Sequence, residues 1–101
     1  MDLYIDKRGQ TPNIHQFSHV VHTFRDFISV TNTSDKLNLV SINYDIEPKA
    51  NGMDFLWYLA DNNIEVPFIN IHSVSNEQRR QLRFAAKRYL PNSELTFVKH
   101  I

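Results

Sequence analysis

Two aspartates, a histidine–serine pair and a lysine each stand where a strand-like run of residues ends. Leu3-Tyr4-Ile5 leads into Asp6, and the apolar run over 39–44 leads into Asp45. Phe68-Ile69-Asn70-Ile71 leads into His72-Ser73, and Leu95-Thr96-Phe97-Val98 leads into Lys99. In a parallel α/β sheet the carboxyl ends of the strands collect along one edge, and ligands bind there. On such an edge Asp6 and Asp45 can share a hard divalent cation such as Mg²⁺ or Mn²⁺, which takes oxygen ligands. A carboxylate there can instead act as a nucleophile toward a phosphoryl group. His72 has the chemistry of a general acid or base near neutral pH. Ser73 can donate a hydrogen bond to a phosphoryl oxygen, and Lys99 can neutralise phosphate charge. Each group also has a plainer reading: capping aspartates, a partly buried histidine bonded to backbone, a turn serine, a solvated lysine.

Two further clusters have weaker chemistry. His15, His19 and His22 would share one face of a helix and could then hold a transition metal; on a strand His22 would point away from the other two. Arg79, Arg83 and Lys87 recur every fourth residue and form a basic stripe, which is either a phosphate-facing row or a solvated helix face. There is no Gly-rich phosphate loop, no G-x-S-x-G elbow and no H-E-x-x-H.

These residues must be positioned by a short chain. Its 101 residues are expected to form one domain over 1–101, and 42% hydrophobic content suffices for one core. Eleven basic residues balance eleven acidic ones, so no overall pull on nucleic acid or an anionic membrane is expected. The absence of Cys removes disulfides, thiolate metal sites and cysteine nucleophiles. No apolar stretch approaches the roughly 20 residues that span a bilayer, and the first residues do not read as a signal peptide. A cytoplasmic domain with no membrane segment is the expectation.

Hydrophobic patterning predicts strands over 2–6, 37–44, 66–71 and 94–99. Residues 17–21 read as a strand followed by a helix over 23–30, with one continuous helix over 15–30 as the alternative. The helix over 53–61 is apolar almost all round, and Phe55, Trp57 and Tyr58 on it are candidates for an interaction surface. Ser75 followed by Gln78 is a capping-box pattern, so another helix starts at Asn76; Pro91 stops it. Strands alternating with helices imply right-handed crossovers and a mainly parallel, open α/β sheet with helices packed on it. The chain is too short for five full β/α pairs, so the first helix is expected to be missing or reduced.

The layout resembles a response-regulator receiver domain: an acid after the first strand, an acid after a central strand, Ser after the next and Lys after the last. More closely, it is similar to the compact receiver-like family called cyclic-phosphate processing receiver domains. The residues that carry the likeness are Tyr4-Ile5-Asp6-Lys7, Thr11-Pro12, Ser41-Ile42-Asn43-Tyr44-Asp45-Ile46, Asn51-Gly52-Met53-Asp54 and Ile69-Asn70-Ile71-His72-Ser73. Lys7 and Asn43 stand where the family pattern has acids, and Asp45 is one position off a receiver's acceptor register relative to Pro48. The resemblance implies a flavodoxin-like fold and two alternative functions. One is a degenerate receiver that keeps the fold and binds a protein partner or a second copy of itself. The other is a metal-dependent phosphohydrolase acting on nucleotides or RNA ends. There Asp6 and Asp45 would hold the metal, His72 would be acid/base, and Ser73 and Lys99 would bind phosphate.

Overall fold

The computed structural model describes residues 1–7, 17–33, 36–73 and 75–97. Five strands, β1 (Asp2–Ile5), β2 (His19–Val21), β3 (Leu39–Ile42), β4 (Phe68–Ile71) and β5 (Glu94–Phe97), form one sheet in the order β2-β1-β3-β4-β5. All four pairings are parallel. That is the flavodoxin-like order. The helices are α1 (Phe24–Thr31), α2 (Gly52–Asp61) and α3 (Asn76–Tyr89). Among the described residues no helix is long and apolar enough to cross a membrane. The question of strand or helix after Phe17 resolves to strand then helix, and a continuous helix over 15–30 does not form. The expectation of a missing or reduced first helix falls on the connection over 8–16, which lies outside the described residues.

Topology dictates where the helices go. The connections β2 to β3, β3 to β4 and β4 to β5 all step the same way across the sheet. Right-handed crossovers in one direction put their helices on one face. Accordingly Leu3, Ile5, Val40, Ile42, Ile69 and Ile71 share one core with Phe27, Phe55, Leu56, Leu59, Leu82, Ala85 and Ala86. Burying each Val, Leu, Ile or Phe among them contributes about 1.5–3 kcal/mol. The alternate residues Tyr4, Ser41, Asn70 and Thr96 lie in register across the opposite face. That row is polar, and its residues Tyr4, Ser41 and Asn70 are nonetheless buried.

Caps start each helix. Thr23 accepts from the Asp26 N–H at α1, and Ser75 accepts from the Gln78 N–H at α3. At α2, Asn51 and Asp54 satisfy each other's backbone in a full capping box. Gly52 then touches the end of β3. A Cβ there would lie 2.5 Å from the Asn43 carbonyl oxygen and 2.8 Å from Leu82 Cδ2. Only glycine lets α2 begin so close to the strand end.

The α2 aromatics correct one expectation. Phe55 is fully buried, with its ring 4.8 Å from Phe27 and 5.1 Å from Phe24. Tyr58 is half-buried and meets the same two rings edge-on. Both serve α1 packing. Of the three, Trp57 faces solvent, at 52% exposure.

Candidate functional site

Strand order fixes the place. From β1 the chain moves to β2 on one side, and from β3 it moves to β4 on the other. The carboxyl ends of β1 and β3 therefore flank the topological switch point, where open α/β sheets bind ligands. Asp6 follows β1, Asn43-Tyr44-Asp45 follows β3, and His72-Ser73 follows β4. A cleft of about 450 Å³ opens here, lined by Lys7, Tyr44, Asp45, Ile46, Glu47, Pro48 and Asn51. A cleft of similar size at the opposite end, beside Val66, Pro67 and Ser93, lacks these strand-end groups.

Beneath the switch point lies a buried hydrogen-bond network. His72 Nε2 is 3.0 Å from Asp6 Oδ2, and its Nδ1 is 2.8 Å from Ser41 Oγ. The imidazole stacks on Tyr4 at 4.5 Å and 6°. Asn70 Nδ2 donates to Ser41 Oγ at 3.0 Å, and Thr96 Oγ1 donates to Asn70 Oδ1 at 2.7 Å. From the other side Asn43 Nδ2 donates to Asp6 Oδ2 at 3.2 Å. Ser73 Oγ donates to Asn43 Oδ1 at 2.8 Å and accepts from the Tyr44 N–H at 2.7 Å. Asp6, Ser41, Asn43, Asn70, His72 and Ser73 are all buried. Among the described residues no buried side-chain N or O lacks a partner.

The direction of these bonds is fixed by hydrogen-bond arithmetic. An ionised carboxylate only accepts, so His72 Nε2 donates to Asp6 Oδ2. In the neutral imidazole Nδ1 is then the acceptor and takes the Ser41 Oγ proton. The second branch runs from Tyr44 N–H to Ser73, from Ser73 to Asn43, and from Asn43 to Asp6. Both branches end on the same carboxylate oxygen. Asp6 is the acceptor in which the network terminates, as an ionised carboxylate can be.

This places the expected site residues unequally. Asp6, His72 and Ser73 come together, with Asp6 Oδ2, both His72 ring nitrogens and Ser73 Oγ bonded to one another or to Asn43, Ser41 and the Tyr44 N–H. Asp45 stands apart and exposed, 3.4 Å from Gln78 Nε2, and its own N–H donates to Asn43 Oδ1. Gln78 therefore reaches Asp45, so α3 is capped by Ser75 without the reciprocal half of a capping box. Lys99 and His15 lie outside the described residues. His19 lies on β2, and His22 Nδ1 donates to the Asp6 carbonyl at 3.0 Å. Arg79 leaves the basic stripe, donating to the Ser73 carbonyl at 2.7 Å and to Asn76. Arg83 lies over the Phe97 ring at 5.9 Å.

The groups aimed at Asp6 Oδ2 are N–H donors of Asn43 and His72, not oxygens. Among the described residues no three His, Asp or Glu side chains gather where a metal could be held. The order Ser41–His72–Asp6 is hydroxyl, imidazole, carboxylate, as in a hydrolytic triad. Yet Ser41 is wholly buried in mid-strand, with the Asn70 amide on its oxygen. It is not placed to attack a substrate.

Sequence reasoning missed Ser41, Asn70 and Thr96, the middle of this network. Their signal was present: each is the polar residue before the last of its strand. It also missed Phe84, which is 66% exposed. Phe84 falls out of phase with the apolar stripe of Leu82, Ala85, Ala86 and Tyr89. No family model matches the chain, and no curated protein or solved structure matches it either.

Proposed function

We propose that the domain is a receiver-like module in which side-chain hydrogen bonding has taken the place of metal-dependent phosphoryl chemistry. It works as a regulatory or interaction module that holds a protein partner. The observation that carries this reading is the Asn43 amide on Asp6. Two carboxylates side by side repel, and a cation or a shared proton must offset that repulsion. Replacing one by an amide removes a charge and supplies Asp6 with a donor. Ser73 is turned to Asn43, which leaves its hydroxyl unavailable to a phosphoryl group. Exposed Trp57 gives the kind of aromatic anchor that partner surfaces use. The absence of Cys suits a reducing cytoplasm.

Thermal unfolding with and without Mg²⁺ or Mn²⁺ tests the reading. The wild type is expected to show no metal response. Asn43→Asp is expected to lose about 2–4 kcal/mol, because it restores like-charge repulsion in a buried site. Millimolar metal should recover part of that loss by binding the folded state. A wild type stabilised by metal would overturn the proposal. So would turnover of 2′,3′-cyclic nucleotides that disappears in Asp45→Ala.

A further inference from the structure

The outer faces of α2 and α3 carry complementary rows. Opposite its buried residues, α2 presents Asp54, Trp57 and Asp61, all exposed. On its solvent side α3 presents Arg80, Phe84 and Arg88, all exposed. Each row is charge, aromatic, charge, and the signs are opposite. The offsets match at the C-terminal end: Asp61 follows Trp57 by four residues, and Arg88 follows Phe84 by four, while Asp54 precedes Trp57 by three and Arg80 precedes Phe84 by four. On both helices the four-residue step is about 6 Å along the axis. The two helices pack side by side on one face of the sheet, with Leu56, Leu59, Leu82, Ala85 and Ala86 in the same core.

We infer that this face is the contact between two copies of the chain, α2 of each lying on α3 of the other. A two-fold axis running along and between the helices makes the pairing isologous, so each contact occurs twice. Trp57 then meets Phe84 and Asp61 meets Arg88. Asp54 and Arg80 add less. Asp54 already caps α2 through the Asn51 N–H, and Arg80 pairs with Glu77 at 2.6 Å. That second pair is exposed on both sides, and such pairs are weak enough to exchange. A second copy suits this face better than an unrelated acidic or basic partner. One chain carries both halves, matched in spacing over Trp57–Asp61 and Phe84–Arg88, and its eleven positive and eleven negative residues leave no net charge to repel a copy. The inference rests on the interaction-module reading and names its partner.

A charge-swap pair tests it by sedimentation at about 200 µM, far above a micromolar Kd. The wild type should sediment at twice 11.9 kDa. Trp57→Ala should sediment as a monomer. Asp61→Arg alone sets Arg against Arg88 at both contacts, and Arg88→Glu alone sets Glu against Asp61. Each should be monomeric with an unchanged circular-dichroism spectrum. Their equimolar mixture restores opposite charges at both contacts and should sediment as a heterodimer. A monomeric wild type, variants that stay dimeric, or a mixture that stays monomeric each overturns the inference. None of these results touches the metal response of Asn43→Asp, so failure here is distinguishable from failure of the module reading.

Discussion

Ser41 shows a hydroxyl placed for architecture. It accepts from Asn70 and serves His72, so it joins β3 to β4 by side chains as well as backbone. Ser41→Ala leaves His72 Nδ1 and one Asn70 donor without a buried partner. The expected cost is about 1–3 kcal/mol by urea unfolding; a change within a few tenths would show that the network contributes little. At this scale the sequence was legible in part. Asp6, His72 and Ser73 were recognisable as strand-end residues, and they do gather. Their meaning was not legible. A carboxylate facing water and one facing an amide are the same letter, and only burial and partners tell them apart. Asn43 reads in the sequence only as an amide after a strand; its part as a donor depends on its lying against Asp6.

At the scale of elements, α2 depends on how closely it approaches β3. The Gly52 N–H donates to the Tyr44 carbonyl at 2.9 Å, and a methyl group there would press on the Asn43 carbonyl. Backbone cannot yield as a flexible side chain does. Gly52→Ala is therefore expected to destabilise by about 1–3 kcal/mol despite its better helix propensity. An equal or raised melting temperature would mean that α2 can shift. The helices and strands themselves were legible from apolar spacing, Ser75 and Pro91. What spacing could not assign was the facing of a helix apolar nearly all round. Phe55 and Tyr58 turn inward because Phe24 and Phe27 of α1 are there to receive them. That contact joins residues about thirty positions apart, beyond the reach of local pattern.

For the whole molecule, sheet order ranks the strands. β1, β3 and β4 each have a neighbour on both sides, while β2, only three residues long, and β5 are edge strands. Amides of β1, β3 and β4 should exchange slowest, through global unfolding, and those of β2 through local opening. Equal protection across the sheet would contradict that ranking. Parallel order was legible from the alternation of elements. The one-sided placement of the helices follows only once the strand order is known. The row Tyr4–Ser41–Asn70–Thr96 has a historical consequence. Side chains alternate with period two, so a one-residue slip of β3 would drive Ser41 into the apolar layer and Val40 into the polar row. Both layers reject the same error for different reasons. Along a lineage these positions are inherited as a set: a change at Ser41, His72 or Asn43 persists only when its partner changes with it, while the solvent faces of the helices drift freely wherever no copy presses on them.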